Sequence, residues 1–277
     1  MPAPADMAMT TTLRYAVFGQ PIAHSLSPRI HAMFAAQFGI ALDYRAIESS
    51  LDAFASTLDA FARVGGAGAN VTLPLKQEAA RLCTEVTDRA RRADSVNTLI
   101  RDGDGWRGDS TDGAGFIRDL RDRHRFEPHG KRALLLGAGG AARAVAFALV
   151  EADAALTIAN RTRERAERLA DATRSQVIDW NASVDADAFD LVVHATAAGH
   201  GDASFEWPTV PIDAHTLACD LSYGAAAAPF LARAQAAGAR AIDGLGMLVE
   251  QAAESFAIWH GKTPATDPVY AALRATR

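Results

Sequence analysis

The residues with the clearest chemistry form one stretch, Ala133-Leu134-Leu135-Leu136-Gly137-Ala138-Gly139-Gly140-Ala141-Ala142-Arg143. An apolar run ends at Gly137, and a small-residue helical pattern through Val145, Leu149 and Val150 follows it. That pattern predicts strand, tight turn and helix. The spacing is G-x-G-x-x-A, in which Gly137 allows the bend and Gly139 lets the backbone approach a pyrophosphate. Ala142 lets helix and strand pack closely, and the exposed amides around Gly140 and Ala141 face the phosphates. Alone, a Gly-Ala-Gly-Gly run serves a flexible turn equally well.

The next predicted strand, 155–159, ends in Asn160-Arg161-Thr162-Arg163-Glu164-Arg165. A site built for NAD puts Asp or Glu roughly 20 residues past the glycines, to hold the ribose 2′-hydroxyl. This chain has Asn160, Arg161 and Thr162 there, with Arg165 a helical turn on. A carboxylate repels a 2′-phosphate, whereas a guanidinium pairs with it. The competing reading is a helix start with solvated arginines, since Arg163, Arg165 and Arg168 sit among Glu164 and Glu167. Its place after a glycine turn favours the phosphate, and so NADP.

Bulk properties narrow the class. At 277 residues the chain can carry two compact domains or one large one. A net charge of -5 argues against nucleic acid or an anionic membrane as partner. No apolar run approaches a membrane span. Residues 1–12 lack the basic start and apolar core of a signal peptide and read as a frayed leader. Cys83 and Cys219 lie in no metal or redox spacing, as in a reduced cytoplasmic protein. The histidines form no close ligand pair, so no metal site is expected.

The elements that must position this chemistry follow in order. Residues 14–19 read as a strand, and Ser27-Pro28 starts a helix that Ser27 can cap. Ile30, Met33, Phe34 and Phe38 mark that helix's buried face, and Gly39 stops it. A strand at 42–47, a helix through Phe54, Leu58 and Phe61, and an alternating strand at 69–73 come next. Lys76 opens another helical stretch. Asp102-Gly103-Asp104-Gly105 turns one strand into the next. A helix then buries Phe116, Ile117 and Leu120, and the polar segment 121–132 leads to a second domain. From there strands at 133–137, 155–159, 177–178, 191–195 and 217–221 alternate with helices, predicting a parallel sheet covered on both faces. An amphipathic helix through Leu245, Leu248, Ala252, Phe256 and Trp259 precedes a last short one at Asp267-Pro268.

Taken together, these segments resemble the shikimate dehydrogenase family. The resemblance is carried by Val17 to Pro28, Gly68-Ala69-Asn70-Val71-Thr72-Leu73-Pro74-Leu75-Lys76, Val96-Asn97-Thr98 and Thr111-Asp112-Gly113. It continues through Gly137 to Ala141, Asn160-Arg161-Thr162 and Asp243-Gly244-Leu245-Gly246-Met247-Leu248. It implies two α/β domains, the second Rossmann-like and binding NADP, with the active site in the cleft between them. The substrate domain would comprise 1–112 plus 243–277, its C-terminal helices returning to it, and the NADP domain 113–242. The implied reaction is NADPH-dependent reduction of 3-dehydroshikimate to shikimate, a step toward chorismate and the aromatic amino acids, in a cytoplasmic monomer or homodimer.

Carried over residue by residue, Ser25 and Ser27 match the pair that binds the substrate carboxylate, as hydroxyls at a helix N-terminus can. Asn70, Thr72, Asn97 and Gln251 match binders of the ring hydroxyls, and Tyr223 a tyrosine near the substrate. Gly244 matches a residue on the cofactor side. Lys76 and Asp112 match the catalytic pair. A lone Lys is ordinarily solvated and a lone Asp ordinarily caps a helix, so this assignment belongs to the resemblance. The chemistry suits it: a positioned ammonium stabilises the oxygen charge left by hydride addition and can supply a proton, and Asp112 orients it. Sequence alone does not decide which of the two transfers the proton.

Two positions depart from the family pattern: Ser110 stands for Asn before Thr-Asp-Gly, and His194 for Asn in His194-Ala195-Thr196. His194 reads as a substitute for a loop-structuring amide near the nicotinamide, since Lys76 and Asp112 fill the acid and base roles. Two alternatives remain at this level, a quinate/shikimate dehydrogenase using both cofactors and a nonenzymatic NADP-binding sensor.

Overall fold

The computed structural model describes residues 12–182, 189–196, 208 and 212–276. The leader reading falls on residues 1–11, outside the described residues. The first half of the chain builds β1 (Leu13–Gly19), α1 (Ser27–Phe38), β2 (Leu42–Glu48), α2 (Phe54–Arg63), β3 (Gly66–Val71) and α3 (Lys76–Leu82). It continues with β4 (Glu85–Val86), α4 (Asp88–Ala93), β5 (Thr98–Asp102) and β6 (Gly105–Asp109). These strands form one mixed sheet in the order β2-β1-β3-β5-β6-β4. β1 runs parallel to β2 and β3, while β5 is antiparallel to both β3 and β6.

Two local expectations shift. The leading cap of α1 is Leu26, not Ser27, and no side chain caps it; the chain already turns into helical geometry at Leu26, which draws Ser27 into the first turn. β3 stops at Val71, before the expected end at Leu73, and Leu73 is 58% exposed. Thr72 and Leu73 instead begin the turn into α3, where the Leu75 amide donates to the Thr72 carbonyl.

The second half supplies α5 (Asp112–Arg118), β7 (Arg132–Leu136), α6 (Gly140–Glu151), β8 (Ala155–Ala159), α7 (Arg163–Thr173) and β9 (Gln176–Val177). After these come β10 (Leu191–His194), β11 (Leu217–Asp220), α8 (Ala228–Ala236), β12 (Arg240–Asp243), α9 (Leu245–His260) and α10 (Asp267–Arg274). This sheet is parallel throughout, in the order β12-β11-β10-β7-β8-β9. The strand order reverses between β7 and β10, the doubly wound arrangement whose crevice takes a dinucleotide.

Each sheet has its own core. Phe18, Phe54, Leu58 and Trp106 pack in the first, and Leu135, Val145, Leu156, Ile158 and Val193 in the second. The chain then crosses back: Ile30 and Phe34 of α1 form a single cluster with Leu245, Val249 and Phe256 of α9 and Val269 of α10. α5 lies between α9 and α6. A Cβ on Gly113 would come within 2.6 Å of the Ala144 carbonyl oxygen, so only glycine permits that approach. No helix among the described residues is long and apolar enough to cross a membrane.

Candidate active site in the interdomain cleft

The polar residues named from the sequence converge where the carboxyl ends of β1 and β3 meet α5 and α9. Lys76, the first residue of α3, places Nζ 2.5 Å from Asp112 Oδ2. The two side chains are only 12% and 6% exposed, so the pair is screened from bulk water. The other Asp112 oxygen accepts from Asn97 Nδ2 at 2.9 Å, and that amide also donates to Gln251 Oε1 at 3.0 Å. Asn97 Oδ1 accepts from the Thr111 amide at 2.8 Å, which fixes which way the Asn97 side chain points. Strand, helix start and returning helix therefore hold one ammonium in place.

Asn70, at the end of β3, donates to Ser255 Oγ at 3.0 Å and accepts from Tyr44 Oη at 2.8 Å and His31 Nε2 at 3.1 Å. Ser255 bonds on to Thr98 at 2.7 Å and Thr111 at 3.2 Å. Burial pushes the His31 imidazole down to about 3, only partly opposed by its bond to Asn70. Its ring is therefore neutral, with the proton on Nε2. Burial raises the Tyr44 phenol well above its usual range, and a hydrogen bond to Ser27 opposes this. Asn70, Asn97 and Gln251 are thus buried and bonded among themselves. Ser25 and Thr72 are half-buried at the rim, and Ser25 Oγ accepts from the Ser27 amide at 3.3 Å. Tyr223, half-buried, packs with Leu26 and Leu248 against the α1/α9 cluster.

The nucleotide side begins one residue beyond β7. Gly137 has φ 126°, and a Cβ there would meet the Ala195 carbonyl oxygen at 2.8 Å. Both facts demand glycine. Gly139 is exposed, with open space where a Cβ would stand, and leads into Gly140 and Ala141 at the start of α6. Gly140 also faces the catalytic side: a Cβ there would lie 3.8 Å from Lys76 Cδ and 3.0 Å from Ser95 Oγ. Asn160 and the exposed Arg161, Thr162 and Arg165 lie beyond β8, Asn160 Nδ2 donating to the Thr162 carbonyl at 2.9 Å. Arg163 is engaged by Glu167 and Asp179. Gly244 sits between β12 and α9.

Residues missed from the sequence are the partners inside the network: His31, Tyr44, Thr98, Thr111 and Ser255. The one available signal was Gln251 and Ser255, spaced i and i+4 on one helix. A separate groove of about 500 Å³ between α4, α5 and α6 contains none of the predicted residues. Its arginines are committed to carboxylates, Arg89 to Asp109, Arg92 to Glu151, Arg118 to Glu254 and Arg121 to Glu127. Among the described residues no group of three or more His, Cys, Asp or Glu is placed to hold a metal ion.

Comparison with known proteins agrees with this geometry. Residues 17–99 match the shikimate dehydrogenase substrate binding domain, 121–202 the shikimate/quinate 5-dehydrogenase family and 244–274 the shikimate 5′-dehydrogenase C-terminal domain. A shikimate dehydrogenase (NADP(+)) of Xanthomonas euvesicatoria is 56% identical, over 95% of each chain. The shikimate 5-dehydrogenase of Thermus thermophilus, solved with NADP(H) and shikimate, is 35% identical. It superposes with a TM-score of 0.85 over 96% of this chain and 100% of its own. The Aquifex aeolicus shikimate dehydrogenase gives 31% identity and 0.86 over 95% and 98%. With its glycine turn, buried Lys76–Asp112 pair and returning α9, the chain belongs to the shikimate dehydrogenase family.

Proposed function

We propose that this protein is an NADP-dependent shikimate dehydrogenase, interconverting 3-dehydroshikimate and shikimate in the cleft between its two sheets. The observation that carries this reading is the Lys76–Asp112 pair, held by Asn97 and backed against the Gly140 turn. When bound, NADPH supplies the hydride to the ketone carbon. Lys76 Nζ then stabilises the charge left on the ketone oxygen and stands as proton donor, while Asp112 aims the ammonium. The substrate domain is assigned to 1–112 with 243–277 and the cofactor domain to 113–242.

Ser25 and Ser27, near the start of α1, are assigned to the substrate carboxylate. Asn70, Thr72, Asn97 and Gln251 are assigned to the ring hydroxyls, and Tyr223 to the neighbourhood of the substrate. Because those amides are already bonded to one another, a substrate hydroxyl exchanges partners with the network rather than filling a vacancy. A substrate lacking a matching hydroxyl leaves a polar group unpaired, the strongest form of small-molecule discrimination. The turn at Gly137, Gly139, Gly140 and Ala141 is assigned to the pyrophosphate. Asn160, Arg161, Thr162 and Arg165 are assigned to the 2′-phosphate, and Gly244 to the nicotinamide side. Cys83 and Cys219 are unpaired, as suits the reducing cytoplasm.

The deciding experiment crosses two ketones with two cofactors: 3-dehydroshikimate and 3-dehydroquinate, each with NADPH and NADH. Turnover confined to 3-dehydroshikimate with NADPH supports the reading. Equal efficiency with both cofactors or both ketones replaces it with the dual quinate/shikimate enzyme, and binding without turnover replaces it with a sensor.

A further inference from the structure

Hydride transfer from NADPH to 3-dehydroshikimate, a reading that the inference rests on, places a strict demand on the two sheets. The cofactor is assigned to one and Lys76 stands on the other, so their relative placement is part of the catalytic geometry. α4 of the first half and α6 of the second pack against each other along the seam between them. α4 ends at Ala93, where Asp94 turns left-handed. The Asp94 amide donates to the Ala90 and Arg91 carbonyls, and the Ser95 amide to that of Ala90. The next two carbonyls, of Arg92 and Ala93, are met by a side chain from the other side of the seam. Arg143 Nε donates to the Ala93 carbonyl at 2.7 Å, and Arg143 Nη2 to the Arg92 carbonyl at 3.5 Å. A helix leaves its last carbonyls unpaired, and a cation there also meets the negative end of the helix dipole.

Both ends of this contact lead to the site. Arg143 lies in the first turn of α6, and its own amide donates to the Gly139 carbonyl of the glycine turn at 2.9 Å. On the α4 side the chain runs from Ala93 through Ser95 into Val96, whose amide donates to the Lys76 carbonyl at 3.0 Å. Asn97, which holds Asp112, comes next. Ser95 is fully buried against the turn: its Oγ stands 3.0 Å from where a Cβ on Gly140 would be, and Lys76 Cδ stands 3.8 Å from the same point. In so close a packing a shift at the seam moves the glycine turn against Lys76. A second contact across the seam, Arg92 with Glu151, is an exposed ion pair and contributes little.

We propose that Arg143 is a positioning residue: by joining the start of α6 to the end of α4, it fixes the placement of the glycine turn, and so of the cofactor, relative to Lys76. It acts through the backbone of α4 and touches neither substrate nor cofactor. Arginine suits the task because its planar fork spans two successive carbonyls, whereas a lysine ammonium is a single point of contact.

The test separates turnover from binding in Arg143→Ala, Arg143→Lys and Glu151→Gln. Reduction of 3-dehydroshikimate by NADPH is measured at saturation, and NADP and shikimate are each titrated alone by quenching of protein fluorescence. Arg143→Ala should lose about tenfold to a hundredfold in kcat, the effect of misplacing the reactants by about an ångström. Both single-ligand affinities should stay within about threefold of wild type. Arg143→Lys, which keeps a donor for the Ala93 carbonyl, should recover part of the lost kcat, and Glu151→Gln should keep the wild-type rate. If urea unfolding shows that Arg143→Ala does not fold, Arg143→Gln takes its place. A kcat within about threefold of wild type overturns the positioning role. So does a loss of NADP affinity as large as the loss of turnover, which would put the guanidinium on the cofactor, or an equal loss of turnover in Glu151→Gln. A wild-type protein that binds NADP without reducing 3-dehydroshikimate would defeat the functional reading itself, and the positioning role with it.

Discussion

Replacing Lys76 by Ala probes the reaction centre most sharply when combined with Asp112→Ala and the double variant. At 2.5 Å and an effective dielectric of about 20 the gross attraction of the pair is about 7 kcal/mol, most of it cancelled by desolvation. Removing one partner of so buried a pair leaves the other charge stranded, which costs about 3 kcal/mol of stability. The double variant should lose less than the two singles added together, because the stranded charge is gone. In catalysis the ammonium does two jobs, charge stabilisation and proton transfer, each worth about 10²–10⁴ in rate. We expect turnover with shikimate and NADP to fall by about 10³ or more in Lys76→Ala, while NADP affinity, read by fluorescence, stays within about threefold. The double variant should be no slower than Lys76→Ala, since the pair acts as a unit. Urea unfolding monitored alongside separates stability from rate. Turnover within about tenfold of wild type, or losses that multiply in the double variant, would refute the reasoning.

Other residues give independent checks. Arg161→Ala should weaken NADPH binding by about tenfold to a hundredfold, the value of a charge-assisted contact, and leave NADH binding nearly unchanged; equal loss for both would contradict the phosphate contact. Gly137→Ala forces a side chain into φ 126° and against the Ala195 carbonyl, so NADP binding should collapse and stability should fall by about 1–3 kcal/mol; a variant that binds NADP normally would show that the turn tolerates a side chain. His31, neutral in the fold with its titration pushed down to about 3, takes up a proton on unfolding whenever the pH is below its ordinary value of about 6.5. Stability is therefore fully present above that value and is lost as the pH falls toward 3, by about 2 kcal/mol between pH 7 and pH 5. Urea midpoints at the two pH values should show this loss in wild type and a flatter response in His31→Gln; identical slopes would argue against a neutral buried ring.

The second sheet was the more legible half, for a physical reason. Parallel strands covered on both faces read as unbroken apolar runs, so 133–137, 155–159 and 191–195 stood out, as did the glycines between strand and helix. Arg240–Asp243 was missed because a charged residue stands at each end of a run of only two apolar residues. The two-residue strand β4 is too short to carry a period at all, and β9 lies one residue before the strand expected at 177–178. In the first half, Asn70 pointed correctly to a polar face, but its partners were hidden. Thr98, Thr111 and Ser255 look like solvent-facing residues until the fold buries them together. The return of α9 onto α1 followed from the family resemblance alone, because no local pattern tells an amphipathic helix which distant surface it will cover. The Leu26 cap was equally invisible, since Ser27-Pro28 offers better capping chemistry than the backbone uses.

The most direct measurement follows the hydride itself. NADPH carrying deuterium at its transferable position is incubated with 3-dehydroshikimate and the protein, and the product is examined by mass spectrometry. The account predicts shikimate bearing one deuterium on the carbon that was the ketone, formed by wild type and nearly absent with Lys76→Ala. Unlabelled product, or no product from the wild-type protein, would contradict it.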